Sequence, residues 1–396
     1  MPLSNNKFIL NLLVLLTIFL SGNNLIFKYV TKEISFSILL ILYFIFFYKQ
    51  KFYISKVDYI FFITFSLILI FHYFRFGDIV LLSSIGFCVT FLIALYNIKA
   101  IKNFTEIYVN IMAVLSLISL FFYFFYYFFN LKIGIQISEV STHNFLYHYK
   151  NEGLPQVRNS GPFWEPGAFS GYLILALFFI LRDLRSKKTL FTSCILVATI
   201  LTTRSTTGYI ALAVIMLIYL IQEDYFKFSK TNFLRTFFFI FLFYLATYYT
   251  FTEVQFLQDK ILLQNELVFY EIRNFQSTRL GNFYYDLEFI RQSPFFGISA
   301  NIDIRSIFDA NAVDIIFNQG NSLSGFAVRF GIIGLLTLII IFCYYSYKKN
   351  KSILLSFNYL ILICILLFSE KYLNFPLFYT LFFINNDNDN NKKTRT

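Results

Sequence analysis

Long apolar runs separated by short polar connections dominate the chain, and twelve of them are candidates to cross a bilayer. A spanning α-helix needs about 20 mainly apolar residues. Because the runs are continuous and do not alternate with polar positions, they predict helices and exclude a membrane β-barrel. The sequence therefore predicts an all-α fold, a polytopic inner-membrane bundle with one transmembrane domain over residues 1–385. The predicted spans are residues 8–21, 34–48, 57–75, 79–96, 104–129, 167–182, 189–203, 208–222, 233–252, 321–346, 352–369 and 374–385.

Basic residues concentrate on alternate connections between these spans. Cytoplasmic loops of membrane proteins carry an excess of Lys and Arg, so this alternation predicts that both termini are cytoplasmic. It also accounts for the net charge of +11 without a nucleic-acid partner. The short outer connections carry only Lys28, Lys32, Arg75, Arg204 and Lys371. The inner connections and the tail carry Lys49, Lys51, Lys56, Lys99, Lys102, Arg182, Arg185, Lys187, Lys188, Lys227, Lys230, Arg235, Lys348, Lys349, Lys351, Lys392, Lys393 and Arg395.

Composition supports the same class. Charged residues make up 14% of the chain and hydrophobic residues 58%, whereas soluble globular proteins are about 25% charged. The four cysteines lie inside apolar runs, which favours small core residues over a disulfide framework or a metal site. His143 and His148 share a loop, but no convincing third ligand accompanies them, so we expect neither a metal nor a cofactor.

Two connections are much longer than the others, and the predicted topology puts both outside. They cover about residues 130–166 and 253–320. Long loops of this kind usually carry function. Within the second, Leu280, Phe283, Tyr284, Leu287 and Ile290 follow helical spacing, which predicts an amphipathic helix on the outer membrane surface. The polar tail, residues 386–396, is predicted to be disordered in the cytoplasm.

Charged residues at the ends of spans are the candidates for chemistry. Arg158 and Glu165 precede the sixth span, Arg204 lies in a short outer turn, and Arg329 lies inside the tenth span. A charge at membrane depth costs about 2.5–3.5 kcal/mol and marks a possible functional site. Each also has a structural interpretation: Arg158 and Glu165 could pair with each other, while Arg204 and Arg329 could reach lipid headgroups.

A functional interpretation is that the outer arginines converge on one anionic ligand, because arginine binds phosphate bidentately and stays charged. The turn "TTRSTTG" around Arg204 adds hydroxyls and backbone N–H groups suited to an anion. The sequence has no phosphate-binding loop, HExxH or GxSxG motif. A site on the outer face would not meet ATP, so the energy for a reaction would be stored in the substrate.

Four stretches resemble, in order, the motifs of the O-antigen ligase and Wzy-type polymerase superfamily. They are "RNSGPFWEPGAFSGYL", "LTTRSTTGYIAL", "RLGNFYYDLEFIRQSPFFGIS" and "GNSLSGFAVRFGIIGLL", and together they cover about residues 150–345. The resemblance implies transfer of a saccharide from polyprenyl diphosphate at the outer face of the inner membrane, without a metal. In the second stretch the arginine precedes the serine, which departs from the usual order.

By this resemblance Arg158, Arg204 and Arg279 would hold the diphosphate and stabilise the charge that develops on it. Glu165 would be either the base for the acceptor hydroxyl or a structural partner of an arginine. Substrate contacts are expected from Ser205, Asn321 and Trp164, the last of which is also typical of an interfacial aromatic belt. The expected partners are the bilayer, a polyprenyl-diphosphate-linked oligosaccharide, a chain-length regulator and a flippase.

Gly320 stands where ligases of this superfamily carry a histidine, which favours a polymerase of lipid-linked repeat units. The alternative within the superfamily is a ligase that transfers polymer to lipid A–core. The alternative from another class is a lipid-linked oligosaccharide flippase or another transporter, although transporters usually place charges at the membrane midplane.

Overall fold

The computed structural model describes residues 7–48, 55–101, 103–138, 141–150, 158–181, 186–222, 279–299, 301 and 321–383. Most of these residues are helical. The predicted ninth span, residues 233–252, and the tail, residues 386–396, lie outside the described residues. The helices are α1 Lys7–Leu20, α2 Asn24–Tyr29, α3 Lys32–Phe47, α4 Lys56–Phe76, α5 Leu81–Lys99, α6 Phe104–Phe129, α7 Pro166–Ile180, α8 Lys187–Thr203, α9 Thr206–Gln222, α10 Arg279–Gln292, α11 Ser322–Asn350, α12 Ile353–Ser369 and α13 Pro376–Tyr379.

Within the described residues, three stretches are long and apolar enough to cross a bilayer: Lys56–Lys99, Phe104–Phe129 and Ser322–Lys348. The first folds back at Gly77, whose φ of 66° is accessible to glycine. The ring centroids of Phe61 on α4 and Phe91 on α5 are 4.0 Å apart, as expected for two antiparallel helices joined at Gly77. Four shorter apolar helices accompany these stretches. The chain is therefore a helical membrane protein.

Contacts between the ends of different helices define two ends of the bundle. We call them the Gly77 end and the Lys99 end. At the Gly77 end the Tyr172 hydroxyl of α7 donates to the Ser21 carbonyl after α1 (2.7 Å). At the Lys99 end the ammonium of Lys99 lies 3.6 Å from the carboxylate of Asp58, and both side chains are buried, with 3% and 0% exposed. The cytoplasmic or outer identity of each end remains a prediction.

Aromatic side chains fill the core of the bundle, and other large apolar side chains cover its outside. Phe163, Tyr172 and Phe378 are among those in the core, whereas Phe74 on α4 is 83% exposed. An outer surface this apolar is expected where lipid surrounds the protein. All four cysteines are free; Cys88 and Cys194 are exposed on the outside, so the expectation that the cysteines are core residues is wrong for these two.

A small antiparallel sheet follows α6, and the sequence did not predict it. It consists of β1 Ile135–Ser138, β2 Ser141–His143 and β3 His148–Lys150, in the order β1-β2-β3. The imidazoles of His143 and His148 face each other across β2 and β3, with their ring centroids 3.7 Å apart. The strictly all-α description is therefore incomplete.

Two predicted helices differ in detail from expectation. The helix in the second long loop is confirmed as α10, but Asn282, Asp286 and Phe289 form its most buried face, whereas Tyr284 of the predicted apolar face is exposed. The last predicted span, over its described residues, is the short buried helix α13 flanked by 3₁₀ turns at Tyr372–Asn374 and Thr380–Phe383.

Candidate functional site

Arg158 and Arg204 are in contact at the Gly77 end. The contact is between the side chain of Arg158 and the backbone carbonyl of Arg204. Helix α8 ends at Thr203, and the next residue, Arg204, has a left-handed conformation with φ 48° and ψ 41°. The guanidinium of Arg158 donates from Nε to the Thr203 carbonyl (3.3 Å) and from Nη2 to the Arg204 carbonyl (3.1 Å). A cation at this position satisfies carbonyls that a helix C-terminus leaves without partners. Arg158 therefore holds the turn that carries Arg204.

Asn159, which the sequence analysis did not select, fixes the segment that carries Arg158. Its Nδ2 donates to the Thr202 hydroxyl on α8 (2.9 Å) and to the Ser119 hydroxyl on α6 (3.2 Å). Its Oδ1 accepts from the backbone N–H of Gly161 (3.0 Å). Because the side chain is buried and uses all three contacts, it ties the segment between two helices.

Trp164 and Glu165 join the start of α7 to the segment that follows α12. The indole ring of Trp164 lies 5.0 Å from the Phe375 ring and fills the space beside Gly22, where a Cβ would overlap it. Glu165 precedes α7 and is close enough to Lys371 to favour the charged form of that lysine. The sequence predicts an arginine as a possible structural partner of Glu165. The structure adds Lys371 as an electrostatic partner.

Ser205 and Asn321 both cap helices. The Ser205 hydroxyl accepts from the N–H of Gly208 (3.2 Å) at the start of α9. The amide oxygen of Asn321 accepts from the N–H groups of Leu323 (2.9 Å) and Ser324 (3.2 Å) at the start of α11. These bonds provide the N-terminal capping that such residues commonly supply. Their predicted substrate contacts remain predictions, as does the role of Arg279, whose backbone begins α10.

The segment after α10 inserts its backbone into α11. At Gly331 the helix is broken, with φ 68° and ψ −177°. The N–H of Ile332 donates to the Pro294 carbonyl (2.8 Å), and that of Ile333 to the Phe295 carbonyl (3.3 Å). In return, the Val328 carbonyl accepts from the N–H of Ile298 (2.7 Å). The Ser293–Ile298 segment therefore replaces helical hydrogen bonds of α11, one turn from Arg329.

A cavity of about 700 Å³ lies at the Gly77 end and is lined by several of these elements. Arg329 of α11 lines it and donates from Nη1 to the Asn374 side-chain oxygen (2.6 Å). Lys32, the first residue of α3, also lines it, with its ammonium 4.8 Å from the centre of the Phe375 ring. The cavity residues are Lys32, Glu33, Phe36, Ile79, Leu82, Ser83, Gly86, Phe87, Thr90, Asn301, Arg329, Phe330, Leu373 and Asn374.

The cations at this cavity interact with one another. Burial lowers the pKa of Lys32 to about 8, and the positive charges of Lys371 and Arg329 add to this lowering. Burial also lowers the pKa of Lys371, although Glu165 and Glu370 oppose the shift. Bringing cations out of water and close together is unfavourable unless negative charge offsets it. Glu33, Glu165 and Glu370 supply part of that negative charge, and the cavity lining itself carries two cations, Lys32 and Arg329, and one carboxylate, Glu33.

From the sequence, Arg329 is a candidate with a structural alternative, whereas Lys32 and Lys371 are only charges of the outer connections. The structure brings the three to one place from distant parts of the chain. Lys32 and Lys371 stand at the ends of predicted spans and Arg329 stands inside one, so no common signal in the sequence marks the three together.

No group of three or more His, Cys, Asp or Glu side chains that could hold a metal ion occurs in the part of the chain that the structure describes. His143 and His148, the pair considered from the sequence, are stacked in the sheet after α6.

Neither the models of known protein families nor the curated proteins gave a match to this chain. Its function must therefore be inferred from its own residues and contacts.

Proposed function

We propose that the chain is a membrane glycosyltransferase that polymerises lipid-linked oligosaccharide repeat units. It would transfer the growing glycan from polyprenyl diphosphate to a new polyprenyl-diphosphate-linked repeat, for O-antigen, capsule or exopolysaccharide synthesis. The observation that carries this proposal is the cavity at the Gly77 end, in which Lys32 and Arg329 face the same space with Lys371 close by.

The charges and size of this cavity fit a diphosphate group. Arginine and lysine are the usual protein donors to phosphate oxygens. The charged residues that line the cavity are two cations, Lys32 and Arg329, and one carboxylate, Glu33. The volume also falls within the range of about 300–1,000 Å³ that is typical of small-molecule sites.

The position of the cavity agrees with a reaction outside the cytoplasm. By the positive-inside rule, the Lys99 end is the cytoplasmic one, because Lys56, Lys99, Lys187 and Lys348 lie there or next to it. The Gly77 end is then the outer face. A substrate that already carries a diphosphate leaving group needs no ATP at that face.

In the proposed reaction an acceptor hydroxyl oxygen attacks the anomeric carbon of the donor glycan. The bond from that carbon to the diphosphate oxygen breaks, and the diphosphate leaves with the electron pair. Arg329 and Lys32 would stabilise the negative charge that develops on it, an effect that is largest where the site excludes water. The hydroxyl proton would pass to a carboxylate: Glu33 lines the cavity, and Glu165 lies close to Lys371.

The four segments that resemble the polymerase superfamily support this assignment by where they lie. Arg158 contacts the turn that carries Arg204, and the Ser293–Ile298 segment inserts into α11 next to Arg329. We assign Arg158 a positioning role for that turn, because its guanidinium donates to backbone carbonyls. A chain-length regulator and a flippase are the partners that such a polymerase would need.

The proposal is tested by deleting the gene and resolving the surface polysaccharide of the cell on a gel, with complementation by wild type and by Arg329→Gln. Deletion should remove long chains and leave core with a single repeat unit, and Arg329→Gln should reproduce that loss. Arg291→Gln, which removes an exposed arginine at the end of α10, is the matched control and should restore the full ladder.

Three results would contradict the proposal. A full ladder with Arg329→Gln at a normal protein level would show that the cavity is not the active site. Bare core with polymer left on the polyprenyl carrier would identify a ligase instead. An unchanged polysaccharide after deletion would exclude polymerisation and make transport the leading hypothesis.

A further inference from the structure

The cavity continues from its cationic part along one face of α5. Leu82, Ser83, Gly86, Phe87 and Thr90 all line it, and their spacing places them on the same side of the helix. From Leu82 to Thr90 the helix rises about 12 Å. The cavity is therefore a cleft that extends from the Gly77 end into the depth of the bundle.

The face of α5 that lines this cleft is apolar in effect, although it contains two hydroxyl residues. The Ser83 hydroxyl donates to the Val80 carbonyl (3.0 Å), and the Thr90 hydroxyl donates to the Gly86 carbonyl (2.8 Å). Hydroxyls that bond to their own helix backbone need no partner in a ligand. This face can therefore contact hydrocarbon without leaving a hydrogen-bond donor unsatisfied.

Gly86 leaves space in the middle of this face. Among the described residues, no atom lies within 4 Å of a Cβ built at Gly86, so none of the described helices requires the missing side chain. Glycine in a helix interior is less stable than alanine. The backbone at Gly86 has no positive φ that would require a glycine. The absent side chain instead keeps the cleft open.

The outer part of the cleft opens onto the apolar surface of the bundle. Ile79 and Leu82 line it and are 56% and 67% exposed. Lys32, Glu33, Arg329 and Asn374 line the cationic part, where two cations accompany one carboxylate. The cleft thus offers cations to one end of a ligand and an apolar, lipid-accessible surface to the rest, which is the charge pattern of a lipid with a phosphate headgroup.

We infer that the cleft between α3 and α5 binds the hydrocarbon chain of a polyprenyl diphosphate, with the diphosphate at Lys32 and Arg329 and the first isoprene units over Gly86. The identity of the lipid rests on the proposed function. Gly86 is then a specificity-determining residue, since any large side chain at this position would occupy the path of the chain.

The test measures binding to the purified full-length protein in nanodiscs with two labelled probes, a long-chain polyprenyl diphosphate and inorganic diphosphate. Gly86→Phe should weaken binding of the lipid by at least about tenfold and leave binding of inorganic diphosphate unchanged. Ile85→Phe places the same aromatic side chain at the neighbouring exposed position and is the control; it should change neither. Ser83→Leu should act as Gly86→Phe does.

Retained binding of inorganic diphosphate also shows that each variant is folded. If Gly86→Phe and Ser83→Leu bind the lipid as tightly as Ile85→Phe does, the inferred path of the chain is wrong, while the proposed function stands. If phosphatidylglycerol displaces the polyprenyl probe equally well, the cleft holds ordinary bilayer lipid and the inference fails. If wild type binds neither probe, the proposed function itself fails.

Discussion

The broken helix at Gly331 gives the sharpest prediction about how the site is held together. Replacing Gly331 by alanine adds one methyl group at a position with φ 68° and ψ −177°, a conformation essentially restricted to glycine. The new Cβ would also overlap the backbone carbonyl of Phe295. Because that atom belongs to the main chain, no side-chain rotation relieves the overlap. The variant must therefore either strain both backbones or straighten α11.

The cost of the two routes can be compared. Keeping the break costs about 1–3 kcal/mol for the backbone conformation alone, and the overlap with Phe295 adds to it. Straightening α11 restores helical hydrogen bonds to Ile332 and Ile333 but expels the Ser293–Ile298 segment. Ile298 is fully buried, with 0% exposed, and exposing such a side chain costs about 1.5–3 kcal/mol. We expect the second route, with a loss of stability of about 2–3 kcal/mol.

The assay is thiol labelling of Ile298→Cys in a background with the four native cysteines replaced by serine, combined with thermal denaturation in detergent. The introduced thiol should be protected in the parent and should react in the Gly331→Ala variant, which should also melt at a lower temperature. Because the segment lies next to Arg329, the variant should lose polymerisation as well. Ile340→Ala, at an exposed position of the same helix, is the control and should change none of the three readouts.

A protected thiol, a wild-type melting temperature and a normal polysaccharide ladder in Gly331→Ala would refute this reasoning. They would show that the break in α11 is not required for the position of the Ser293–Ile298 segment or for function.

Three further predictions concern charge. Lys99→Met should destabilise the protein by about 3–5 kcal/mol by leaving Asp58 buried without its cation, and adding Asp58→Asn should recover much of the loss in a thermal melt. Since burial lowers the pKa of Lys32 to about 8, diphosphate affinity should fall as pH rises from 7 to 9, and Lys32→Gln should reduce that dependence and leave the part that Lys371 contributes. Burial and the nearby Lys28 lower the pKa of His143 to about 4. Below pH 6.5 the unfolded sheet therefore binds more protons than the folded one, so acidification should destabilise the sheet and increase its proteolysis. The increase should be smaller in His143→Gln.

The membrane helices are the part of the fold that the sequence predicts best. The predicted span 104–129 coincides with α6, and the predicted span 352–369 differs from α12 by one residue. A bilayer requires every spanning segment to satisfy its own backbone, so length and apolar content are enough to locate it. The direction of each helix then follows from the alternation of connections.

The sheet after α6 could not be found in the same way. Its strands have three or four residues, too few for a period to be recognised, and they are defined by pairing such as Thr142 with Tyr149. The buried face of α10 was also missed. Apolar positions were expected to face the protein, but in a membrane lipid can cover them, so Asn282 and Asp286 turn inward, where the Ser324 hydroxyl donates to Asp286 (2.6 Å).

The candidate site was only partly predictable, because its cations come from distant segments. Lys32, Arg329 and Lys371 approach one another only after α3, α11 and the residues beyond α12 have packed. Each cation taken singly is explained by topology or by contact with headgroups. Arg158 contacts the turn that carries Arg204, but the contact joins a side chain to a backbone carbonyl, which sequence alone does not indicate, and the expected convergence of the outer arginines on one ligand stays a prediction.

The most direct test of the central claim is a transfer assay with the purified protein in lipid vesicles and a polyprenyl-diphosphate-linked repeat unit as the only substrate. The wild-type protein should lengthen the glycan and release one polyprenyl diphosphate for each new linkage, without ATP or added metal, and Arg329→Gln should do neither. If the glycan stays one repeat long while the lipid-linked substrate moves across the vesicle membrane, the protein is a transporter and the proposed polymerase activity is wrong.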